Sequence, residues 1–134
     1  MKYEVFFLLL FLISILTSCA TKVGLLDGKG LICSKKDGLV GYWFSSSRVK
    51  KIFIDKNIYL GRYSSPTPSI ILWKETGILT DDLILDRQTL SLYRPWGNDK
   101  IREGGCLGDI YYDQDDLKEN LKLRYQNYEK NNKI

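Results

Sequence analysis

The chain of 134 residues contains no histidine. That removes the commonest general base, the usual nucleophile-histidine-acid triads and most transition-metal sites. No G-x-S-x-G, P-loop or dinucleotide-binding glycine pattern occurs. The stretch "GLLDGKG", Gly24 to Gly30, has glycines but no helical pattern after it, so it reads as a linker. Only three prolines are present, and two of them fall in "SSPTPS", Ser64 to Ser69. Proline lacks the N–H a central strand needs, so this stretch is expected to be an exposed connection. Long hydrophobic runs are missing as well. The twelve apolar residues "VFFLLLFLISIL", Val5 to Leu16, make a helix of about 18 Å, short of the roughly 30 Å needed to cross a bilayer.

That run nevertheless organises the N-terminus. A short charged start, an apolar stretch of this length and small residues after it are the parts of a secretory signal peptide. A buried core helix is the alternative, but it would have no polar face to show to water. Leu16-Thr17-Ser18-Cys19 resembles the lipobox of bacterial lipoproteins: an aliphatic residue, two small residues, then cysteine. The resemblance implies that the Cys19 thiol receives a diacylglyceryl group and that cleavage occurs just before it. Ala20, where an aspartate would retain the protein, implies the outer membrane, facing the periplasm. Cleavage by the ordinary signal peptidase after Ser18 or Ala20 would instead give a soluble secreted protein. The expected layout is a signal peptide (1–18), a lipid-anchored linker (19–29), a β domain (30–112) and a C-terminal helix (113–131).

With Cys19 given to lipid, Cys33 and Cys106 remain as an even pair in an oxidising compartment, and a disulfide between them is expected. Two free buried thiols are the alternative. A catalytic pair or a zinc site fits poorly, because the two lie far apart and there is no histidine to join them.

Between these cysteines the pattern is β. Leu39–Ser45, Val49–Asp55, Asn57–Tyr63, Ser69–Lys74, Leu83–Asp86 and Leu90–Arg94 are short runs of branched and aromatic residues separated by Gly, Ser, Pro, Asn or Asp. Their spacing argues for a small antiparallel barrel or sandwich. "LDRQTLSLY" reads as a hairpin, with a turn over Asp86 to Thr89 and Leu90 and Leu92 alternating with Ser91. After Cys106 the period changes: Leu117, Leu121, Tyr125 and Tyr128 form one helical stripe, expected to pack on an open side of the sheet. Asp113 or Asp115 can cap its start. The acidic run there is no EF-hand loop, since Lys118 stands where the glycine is needed. No metal or other cofactor is expected.

Residues 20–108 carry 14 Lys and Arg against 9 Asp and Glu, while 109–134 carry 5 against 6. Lys35, Lys36, Arg48, Lys50 and Lys51 concentrate near the first hairpins. Such a group can be a solvated outer face that discourages edge pairing, or can attract anionic headgroups or an acidic envelope polymer. Nucleic acid is not expected as the partner of an exported chain.

Cys33, the turn-rich strands, Trp73, "LDRQTLSL" and Cys106 together resemble a group of small exported bacterial proteins that carry a tryptophan followed by an L-D/N-R-x-T-L-x-L hairpin. That resemblance implies a fold and no activity. Gly61-Arg62-Tyr63 followed by Trp73-Lys74 also resembles the S-G-x-R-Y and W-x-K-G segments of the membrane-bound C-type lysozyme inhibitors, with Leu60 in place of the serine and Glu75 in place of the glycine. The expected function is a lipid-anchored, non-enzymatic binding or structural module. Its candidate contact residues are Lys50, Lys51, Arg62, Tyr63, Trp73 and Lys74, facing an envelope protein or an anionic envelope polymer. A lysozyme-inhibitor-like protein is one alternative; a hydrolase using carboxylates from separate strands is another.

Overall fold

The computed structural model describes residues 25–36, 38–75 and 82–132. The expected signal peptide, Cys19 with the linker up to Gly24 and the side chain of Tyr128 lie outside the described residues. Eight strands follow in order: β1 (Lys29–Lys35), β2 (Gly38–Ser45), β3 (Arg48–Ile52), β4 (Asn57–Thr67), β5 (Ile70–Lys74), β6 (Asp82–Asp86), β7 (Ser91–Trp96) and β8 (Asp99–Cys106). Each pairs antiparallel with the next, and β8 returns to β1, so the sheet is a closed barrel. Among the described residues one helix, α1 (Gln114–Asn132), follows.

The interior is built by two-residue alternation. Leu31 and Cys33 on β1, Val40, Tyr42 and Phe44 on β2, Val49 on β3, Tyr63 on β4, Ile71 and Trp73 on β5, Leu83 and Leu85 on β6 and Leu92 on β7 form one buried cluster. Its aromatic rings run along the barrel. Tyr63 meets Phe44 at 5.2 Å, Phe44 meets Trp73 at 5.7 Å, and Trp73 meets Tyr42 at 5.0 Å between ring centres. All three pairs are tilted or edge-on, the arrangements that aromatic quadrupoles favour.

Closure rests on the last strand. Cys33 and Cys106 face each other in the β1–β8 register and form a disulfide spanning 73 residues. On the chain-entropy model, a loop of that length contributes about 4 kcal/mol. Gly104 lies against β1 so closely that a Cβ there would overlap the Ser34 carbonyl oxygen.

Several boundaries depart from the sequence reading. β1 and β8 were not among the expected strands, because their regularity comes from pairing with each other and with β2 and β7. Leu25–Gly28, expected as linker, are turns, and Leu26 is buried in the core at the end where β1 starts. β3 stops at Ile52, and Phe53 donates its N–H to the Lys56 carbonyl across the turn. Ser64–Thr67, expected as a loop, continue β4, and the pairing with β5 is irregular between Ser64 and Thr67, which lets the strand accommodate Pro66. Leu90 closes the β6–β7 turn with a left-handed φ of 60° instead of starting the strand.

The closed barrel has no open side, so α1 packs on the outer surface of β1 and β2. Leu117 and Leu121 bury against Ile32 and Ile52, with Leu39, Trp43, Leu107 and Tyr111 around them. Gly30 makes room: a Cβ there would come within 2.8 Å of Leu117 and 2.9 Å of Trp43. Asp113 caps the helix, its carboxylate accepting the Asp115 N–H at 3.1 Å. Tyr125 is 37% exposed, so the buried stripe is narrower than its spacing suggested.

Candidate binding site

A cleft of about 260 Å³ opens on the outer surface where β2, β3, β4 and the start of α1 meet. The β2–β3 connection forms its rim. Ser46 and Ser47 both take left-handed φ, 51° and 59°, the geometry of a two-residue hairpin turn that suits Asn-Gly better than two serines. The turn is held in place from outside: Asp27 accepts the Ser47 N–H at 2.9 and 3.1 Å, and the Ser47 carbonyl accepts the Tyr63 N–H at 3.1 Å. Tyr63 in turn donates its hydroxyl to Asp27 at 2.8 Å and accepts the Leu26 N–H at 3.0 Å. Burial first, then the hydrogen bond to Asp27, raises the Tyr63 pKa above its ordinary value.

Trp43, Ser45, Ser46, Arg48, Lys50 and Tyr59 line the cleft, with Gln114 of α1 at its edge. Tyr59 is 74% exposed. The Lys50 ammonium lies 4.9 Å from the centre of its ring and donates to the Gln114 side-chain oxygen at 3.3 Å. Arg48 stands directly opposite Arg62 in the β3–β4 register, a cross-strand pairing of like charges that destabilises a sheet in the absence of a counter-charge. Among the described residues no carboxylate pairs with Arg48, Lys50 or Arg62.

Inside the barrel, at the end where β1 finishes, lies a second cluster. Glu75 is 5% exposed, and all four of its donors come from the barrel. Lys35 at 3.1 Å, the Tyr42 hydroxyl at 2.8 Å and Lys51 donate to Oε1, and Trp73 Nε1 donates to Oε2 at 3.0 Å. Burial alone would raise the Glu75 pKa. The Lys51 hydrogen bond, the Lys35 charge, the Trp73 hydrogen bond and the Lys51 charge outweigh it and hold the carboxyl below the ordinary value. Tyr42 moves the other way: burial, then the negative charge of Glu75, raises its pKa far above the ordinary range.

The six contact residues expected from sequence therefore separate. Lys50 lines the cleft and Arg62 is exposed beside it. Lys51, Tyr63 and Trp73 turn into the barrel. Lys74 lies at the barrel end, bound to Asp82 at 2.6 Å. Sequence reasoning passed over Trp43, Tyr59 and Gln114 in the cleft, and Tyr42 and Glu75 inside. The alternation of β3 carried a usable signal: if Val49 faces inward, so does Lys51, while Arg48 and Lys50 face out. Comparison with known proteins found no matching family model, no matching curated protein and no matching solved structure.

Proposed function

We propose that this protein is an exported, lipid-anchored envelope protein whose barrel is a binding module for an anionic, sugar-based polymer of the envelope, seated in the outer cleft. The observation that carries the reading is the Arg48–Arg62 pair, without a carboxylate partner among the described residues, beside a cleft that also presents Lys50 and the open ring of Tyr59. Guanidinium groups bind carboxylate or phosphate in a bidentate fork. The exposed aromatic ring offers an apolar face for a sugar to lie on, and Ser45, Ser46 and Gln114 supply polar groups at its edge.

The tether fits the same end of the molecule. Cleavage at the lipobox would place the lipid six residues before Leu25, a reach of at most about 20 Å. The chain enters the barrel at Leu26 and Asp27, and Asp27 holds the turn that rims the cleft. A ligand in the cleft would therefore lie close to the membrane surface.

The test is co-sedimentation of a soluble full mature chain, Cys19→Ser, with polygalacturonate and with uncharged dextran. Binding to the acidic polymer alone, falling as salt rises and weakened at least about tenfold by the double variant R48E/R62E, is the expected result. Equal retention by dextran, or unchanged binding in R48E/R62E, would overturn the reading.

A further inference from the structure

We propose that the barrel end around Glu75 is a separate site for one small carboxylate anion, held between Lys35 and Lys51. The charge count points there first. Among the described residues two ammonium groups share a single carboxylate, and their side chains are only 9% and 17% exposed, which leaves one positive charge over in a largely buried place. A third cation is close, since Lys56 and Lys51 lie over the Phe53 ring at 5.4 and 5.3 Å from its centre.

Hydrogen-bond supply points the same way. Glu75 is saturated, with three donors on one oxygen and one on the other. Each ammonium has three donors and uses one on Glu75, which leaves N–H groups for another acceptor. A cavity of about 70 Å³ adjoins them, lined by Lys35, Gly38, Leu39, Val40, Lys51 and Phe53. Among the described residues two lysines are its charged lining, and Leu39, Val40 and Phe53 make its walls apolar. Such walls lower the local dielectric and strengthen an ion pair formed there. The volume is ample for one carboxylate group beside the two ammonium groups. The ligand is thus a free small carboxylate or the carboxylate end of a longer chain.

The experiment is an amide NMR titration of the full mature Cys19→Ser chain at constant ionic strength, with chloride as the balancing ion. Its probes are sodium acetate, N-acetylglycine and N-acetylglycinamide. Saturable shifts at Lys35, Gly38, Leu39, Lys51 and Phe53 are expected with the two acids and none with the amide. K51Q should weaken binding at least about tenfold and K51R should restore it, because the charge and not the packing is what binds. E75Q should tighten binding about tenfold by freeing a second positive charge, the opposite of what a merely structural role for the cluster would give. Equal affinity for acetate and N-acetylglycine assigns a free anion, and a marked preference for N-acetylglycine assigns a chain terminus. No saturation, identical titrations of K51Q and K51R, or weaker binding in a folded E75Q would overturn the proposal.

Discussion

Lys51 turns its ammonium into the barrel to meet Glu75, while its neighbour Lys50 reaches outward to Tyr59 and Gln114. The inward partner has consequences for stability. A carboxylate this buried would cost several kcal/mol without compensation, and Lys35, Lys51, Tyr42 and Trp73 supply it. Because its folded pKa is depressed, the stability Glu75 contributes is fully present above the unfolded value of about 4.3 and is lost as pH falls through the lower folded value. E75Q is expected to lose about 3 kcal/mol at neutral pH and to show a flatter acid limb than wild type in urea unfolding followed from pH 7 to pH 3. Residue-scale roles of this kind were only partly legible in the sequence. Two adjacent lysines look alike in composition, and only the strand period separates them. Glu75 gave no sign at all, since its burial depends on groups brought from β1, β2 and β3.

At the scale of elements, local pattern served where each strand carried its own alternation. The β6–β7 hairpin was legible because Leu83, Leu85 and Leu92 face inward and the Asp86 carboxylate accepts the Gln88 N–H at 2.9 Å to make the turn. β8, "DKIREGGC", has no such pattern: its residues are exposed or half-buried, and pairing with β7 and β1 makes it a strand. α1 was legible as a helix, but its seat was not, because that seat is a depression made by missing side chains. Gly30 sits under Leu117 and Trp43, and Gly41 lies 3.5 Å from the same leucine were it to carry a Cβ. L117A is expected to cost about 3 kcal/mol by leaving a cavity, and G30A about 2 kcal/mol by pushing the leucine and the indole away. The double variant should lose less than the two together, since truncating Leu117 removes one of the clashes. Urea unfolding of the four proteins checks this, and strict additivity would mean that the glycine does not set the helix seat.

At the scale of the whole molecule, the barrel was readable in outline from strand number, turn spacing and the paired cysteines, and its closure was not. Closure depends on Cys33 meeting Cys106 across two strands that the local pattern did not mark. The finished barrel has two polar ends joined by an aromatic core: Asp27 and Tyr63 at one, Glu75 with its lysines at the other. The outer cleft belongs to the first of these ends, where the chain enters. A lipid on Cys19 would bring that end to a membrane and so decide which polymers the cleft can meet. The intact mass of the mature chain, isolated from its native envelope, measures this directly. A chain that starts at Cys19 and carries a thioether-linked diacylglyceryl group is the expected result; an unmodified chain that starts at Thr21, or one that still carries Met1, would contradict it.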